Sequence, residues 1–178
     1  PTLHDRARIL DTTTGAFLPD EIPSLWGSPS WTADEQGFFY MRFPERSEDD
    51  VRSELGRPQV MHHELGSSSE DTVVFELPDE PGTLLRKRVT RDGAYLLITG
   101  SEGSNFSGMA ERLWIRDLND PQSELRPLLE GVEGGFAYEG NHGSTIFFRT
   151  TVGAPMKRLV AIDPVSYTHL TLPTTRLV

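Results

Sequence analysis

Several stretches of this sequence carry residue types that do chemistry, and their spacing decides how far each can go. A serine nucleophile in an α/β hydrolase sits in a Gly-x-Ser-x-Gly turn between strand and helix, where its hydroxyl is exposed and a backbone amide meets the oxyanion. No five-residue match exists, and the nearest stretch, Gly103-Ser104-Asn105-Phe106-Ser107-Gly108, reads as a Gly/Ser loop. The pair His62-His63 invites a metal, but adjacent strand residues point to opposite faces and do not readily share one ion, so the reading is packing or hydrogen bonding. Glu45, Glu48, Asp49, Asp50 and Glu54 form an acidic cluster without the regular ligand spacing and glycine of a calcium loop, which makes it a solvated loop. Gly131-Val132-Glu133-Gly134-Gly135 has too few spaced glycines for a dinucleotide fingerprint and precedes no helical pattern. With no cysteine, thiol catalysis and Cys-ligated zinc are excluded. The expectation is a chain with no catalytic residue, no metal ligand set and no cofactor of its own.

The elements around these residues are strands. Thr90-Arg91-Asp92-Gly93 reads as a tight turn, with Gly93 at positive φ, feeding the apolar run Ala94 to Thr99, which is too short for a typical helix. The pattern recurs at Trp31 to Gly37 before Phe38-Phe39-Tyr40-Met41 and at Asn141-His142-Gly143 before Thr145 to Phe148. The turn glycines 37, 93 and 143 are 56 and 50 residues apart, a period that points to a propeller or an array. In order, the chain gives two strands over residues 6 to 22, four over 26 to 76, four over 84 to 129, and three over 135 to 163. The fold class expected is all-β, a partial β-propeller of about two complete four-stranded blades plus parts of two others.

Composition agrees. Gly and Pro number 16 and 13 among 178 residues, which suits turn-rich β structure. A net charge of −10 argues against nucleic acid and anionic membrane as partners, because both are held by clustered Lys and Arg. The short basic run Arg86-Lys87-Arg88 reads as a solvated strand edge. Residues 1–164 form the expected propeller segment. Residues 165–178 contain no acidic residue and match the conceptual translation of a sequencing-library adapter, so they are expected to be a non-native tail, and His169 within them receives no role.

Taken in order, the motifs resemble a known family. Trp31-Thr32-Ala33-Asp34 with Gly37-Phe38-Phe39-Tyr40, His62 or His63 with Leu65-Gly66, and Glu70-Asp71 come first. Glu76-Leu77-Pro78-Asp79-Glu80-Pro81, Asp92 to Leu97, Leu113-Trp114 with Asp117-Leu118, and Phe148-Arg149-Thr150 through Ala154-Pro155 to Arg158 to Asp163 follow. This run, over residues 6 to 164, is similar to the propeller domain of prolyl oligopeptidases. The resemblance implies a seven-bladed ring that caps an α/β-hydrolase domain farther along the same chain, in a cytosolic or periplasmic serine peptidase that cleaves short peptides after proline. The hydrolase domain, with its Ser, Asp and His, is absent from these residues. The family also carries an aromatic residue just before a corresponding inner strand, facing the cavity between propeller and hydrolase. Trp26 falls at that place, five residues before Trp31, and the resemblance implies a substrate-binding role for it, with core packing as the other reading. A non-catalytic propeller serving as a binding platform is the rival function.

Overall fold

The computed structural model describes residues 6–43, 57–80, 83–102, 110–129 and 134–165. Thirteen strands occur among them, and none of the described residues is helical. The strands are β1 (Ala7–Leu10), β2 (Phe17–Ile22), β3 (Leu25–Trp31), β4 (Gly37–Arg42), β5 (Gln59–Glu64), β6 (Thr72–Glu76) and β7 (Thr83–Val89). They continue with β8 (Tyr95–Glu102), β9 (Arg112–Asp117), β10 (Arg126–Leu129), β11 (Phe136–His142), β12 (Thr145–Thr150) and β13 (Arg158–Ile162). Four sheets form in chain order: β1-β2, β3-β4-β5-β6, β7-β8-β9-β10 and β11-β12-β13. Every recorded pairing is antiparallel between sequence neighbours, the up-and-down order of propeller blades. The expected two full blades and parts of two others are all present.

The chain divides into two compact units, Pro1–Val89 and Thr90–Val178. In the first, β4 is buried along nearly its whole length rather than on alternate positions. Phe38 and Tyr40 pack with Ile22 and Met61, while Phe39, Met41 and Val60 are buried on the other face. A strand buried on both sides is what face-to-face stacking of blades requires, and each large apolar side chain so buried contributes about 2 kcal/mol. In the second unit the same logic joins Leu97, Leu113 and Ile115 of one sheet to Phe136, Ile146 and Phe148 of the next. A backbone bridge between Ala110 and Phe136 ties these two sheets at 2.8 and 2.7 Å.

The turns show why the repeat is legible and where its reading slips. Thr32 Oγ1 donates to Asp34 Oδ1 at 2.6 Å and accepts from the Gly37 amide at 3.1 Å. Thr90 Oγ1 donates to Asp92 Oδ1 at 2.8 Å and accepts from the Tyr95 amide at 2.9 Å. The Thr32 and Thr90 amides close the same loop onto the Gly37 and Tyr95 carbonyls. These are one Thr-x-Asp turn used twice, so the equivalent of Gly37 is Tyr95, and the step between the first two blades is that from Thr32 to Thr90, longer than the glycine spacing suggested. The left-handed residue of the first turn is Glu35 at φ 58°, matching Gly93 at φ 77°. Gly37 is glycine for a different reason: a Cβ there would lie 2.5 Å from the His63 carbonyl oxygen.

β2 lies within the expected span 6 to 22 and runs through Pro19 to Ile22. Proline is accommodated because β2 pairs only with β1 in its sheet and the register shifts between Arg8 and Leu10, so no ladder amide is demanded of residue 19.

Candidate functional site

Trp26 is the second residue of β3, inside the strand rather than just before it, and pairs with Met41 of β4. The register breaks between Trp26 and Ser30, and Gly27 stands at φ 74°. This bulge re-aims the first half of β3 relative to the second, as bulges do near ligand sites. The Trp26 ring is 37% exposed and meets Phe43 edge-on, with centroids 5.4 Å apart. Core packing therefore does not account for its whole surface. Trp31, at the far end of β3, is also exposed but lies 4.9 Å from the buried Phe38 ring. Together Trp26 and Phe43 form a small apolar surface.

Strand β7 supplies polar neighbours to the bulged segment. Lys87 of β7 donates from its ammonium to the Ser28 carbonyl, and the Val89 amide donates to Ser30 Oγ at 2.8 Å. Burial lowers the Lys87 ammonium to about 8.

His62 and His63 divide as their alternation on a strand predicts. His62 stands beside Phe39, centroids 4.8 Å apart, whereas His63 is buried beneath Phe38 and engages both of its ring nitrogens. Nδ1 lies 2.8 Å from Asp71 Oδ1 and Nε2 lies 3.1 Å from Asp20 Oδ1. Asp20 also accepts the Gly66 amide at 2.7 Å, and Asp71 Oδ2 accepts the Tyr40 hydroxyl at 2.7 Å. Burial alone would raise the Asp20 carboxyl, but the Gly66 amide and His63 outweigh it and hold it below the usual carboxylate range. The Tyr40 phenol moves up, first through burial and then through its hydrogen bond to Asp71. The arrangement has the residue types of acid-base chemistry, yet neither ring nitrogen is open to a substrate proton, so it is a structural clasp between β2 and the β5–β6 hairpin. Sequence reading quoted the histidines, Tyr40 and Asp71 as motif residues but neither gave Asp20 a role nor paired any of them, since partners 43 and 31 residues apart leave no local signal.

The Gly103–Gly108 loop, the acidic cluster 45–54, the stretch 131–133, His169 and the expected non-native tail from 166 onward lie outside the described residues. Among the described residues no group of three or more His, Asp or Glu side chains could hold a metal ion.

The sequence model described as "Prolyl oligopeptidase, N-terminal beta-propeller domain" matches residues 4–170. Prolyl oligopeptidase A of Amanita bisporigera is 28% identical over 157 residues, covering 82% of this chain and 20% of the relative. The prolyl endopeptidase of Elizabethkingia miricola is 29% identical over 155 residues, covering 85% of this chain and 21% of the relative. Among solved structures, a chain from a structural and mechanistic study of two prolyl endopeptidases superposes with a TM-score of 0.80 at 22% identity, over 96% of this chain and 24% of that one. Prolyl oligopeptidase B from Galerina marginata, bound to a 35mer hydrolysis and macrocyclization substrate, gives 0.73 at 23% identity over 92% and 23%. The chain thus spans about a fifth of the length of these curated relatives. By strand order, turn motifs and a family match over nearly all its residues, the chain belongs to the N-terminal β-propeller domain family of the prolyl oligopeptidases.

Proposed function

We propose that this chain is the propeller part of a serine-type prolyl oligopeptidase, covering an α/β-hydrolase domain of the same polypeptide and admitting only short, proline-containing peptides to it. The observation that carries the reading is the family match over residues 4–170. In such an enzyme the hydrolase serine attacks the prolyl carbonyl and expels the amine of the following residue, backbone donors stabilise the oxyanion, and water releases the acyl-enzyme. The propeller contributes by exclusion: it leaves only a narrow way to the hydrolase serine, and folded substrates do not reach it. Within the propeller Trp26 and Phe43 present the apolar surface, and Trp26 contacts the peptide. The proposal places the enzyme in the cytoplasm, with the periplasm as the alternative compartment.

The test is expression of the complete reading frame and assay with a fluorogenic Gly-Pro peptide. Trp26→Ala should raise KM about five- to tenfold, the equivalent of ~1 kcal/mol of aromatic contact, with little change in melting temperature. Unchanged kinetics with a lowered melting temperature would assign Trp26 to packing. A reading frame with no nucleophile elbow and no turnover would replace the peptidase with the rival, a non-catalytic binding platform.

A further inference from the structure

Among the described residues no carboxylate pairs with Lys87, a half-buried cation in a protein that has 27 acidic residues. Its recorded hydrogen bond goes to a neutral backbone oxygen, that of Ser28, which uses one of the ammonium's three donors. Strand β3, which supplies that oxygen, contains no charged residue. The titratable or charged residues on β4 and β5, the other strands of this unit packed on β7, are Tyr40, Arg42, His62, His63 and Glu64. On β7 itself Arg86 and Arg88 flank Lys87 and add positive charge. Desolvation is the single cause of the lowered Lys87 basicity, so none of these groups compensates it. A cation taken partly out of water and left unpaired costs stability, and a well-placed external anion recovers that cost.

We propose that the Lys87 ammonium is an anion site that receives the terminal carboxylate of a short peptide lying along the bulged first half of β3. Its position on the Ser28 carbonyl, two residues along the strand from Trp26, puts a carboxylate partner and an apolar ring on one strand segment. The assignment of the occupant as a peptide rests on the proposed function; the carboxylate chemistry does not. A bound carboxylate stabilises the charged ammonium, so the site holds its ligand below the basicity of Lys87 and releases it above.

The experiment is calorimetric binding to the full-length protein with acetyl-trialanine as free acid and as amide, peptides without a scissile prolyl bond, and with acetate alone. The free acid should bind about tenfold more tightly than the amide at pH 7, the range of a hydrogen bond to a charged group. That preference should vanish in Lys87→Met, persist in Lys87→Arg, and fade in the wild type as pH rises through about 8. Equal binding of acid and amide at pH 7, or a preference that survives Lys87→Met, would overturn the site. Acetate binding that depends on Lys87 while the two peptides bind alike would overturn the peptide terminus as occupant. The wild-type pH profile decides the matter even if Lys87→Met folds poorly. Because the readout is binding, a full-length protein without peptidase activity would refute the proposed function and leave this measurement standing.

Discussion

His63 has a carboxylate oxygen within hydrogen-bond reach of each ring nitrogen, and Asp20 is held ionised by the Gly66 amide as well. Removing any one member leaves another buried polar group unpaired, which costs far more than the loss of an exposed pair. Asp20→Ala should therefore destabilise the protein by about 3 kcal/mol in urea titrations. Glu21→Ala, one residue along the chain, removes only the exposed Arg6–Glu21 contact and should cost roughly 0.5 kcal/mol or less. The pH dependence follows from the sign of the Asp20 shift. Its carboxyl is depressed in the folded state, so the unfolded chain binds the proton more readily, and stability present above the ordinary carboxylate range falls away below about pH 4. Asp20→Ala should flatten that acid limb, and an unchanged limb would show that other carboxylates govern it.

The Thr-x-Asp turns give a comparison at the scale of the element. Glu35 and Gly93 hold the same left-handed place in two copies of one turn, and only glycine does so without a Cβ penalty. Glu35→Gly should stabilise the first copy by about 0.5 kcal/mol, the relief of strain less the added entropy of glycine in the unfolded chain. Gly37→Ala should do the reverse. Its Cβ would meet the His63 backbone oxygen at 2.5 Å, and backbone cannot swing aside as a side-chain tip can, so the β4–β5 ladder must shift. Thermal melts of the two variants should move in opposite directions; a drop for both would show that the Glu35 side chain contributes more than its backbone strain removes.

On the scale of the whole chain, each of the two compact units has its own buried cluster. Stability in repeat architectures is a sum of unit and neighbour terms, so damage to one cluster need not spread evenly. Ile146→Ala should cost about 3 kcal/mol, because Ile146 is wholly buried between Phe136, Phe148 and their neighbours. Amide hydrogen exchange should then quicken across β8–β13 while β4 and β5 keep most of their protection. Uniform acceleration over both would mean that the chain unfolds as one cooperative body.

What the sequence determined by itself was local. Thr90-Arg91-Asp92-Gly93 and Thr32-Ala33-Asp34 mark turns through hydrogen bonds that close within five residues, and apolar runs such as Phe38 to Met41 and Ala94 to Thr99 mark strands buried on both faces. The order of these marks sufficed to name the fold and the family. It could not tell that Gly37 is kept by a neighbouring strand's backbone rather than by its own φ. Tertiary structure alone decided the Asp20–His63–Asp71–Tyr40 clasp, the bulge beside Trp26, and the seat of the Lys87 ammonium on the Ser28 carbonyl. The physical reason is the same in each case: these contacts join residues from different strands and turns, chosen by how the strands pair and pack, and neither periodicity nor turn chemistry along the chain encodes which partner a side chain will meet.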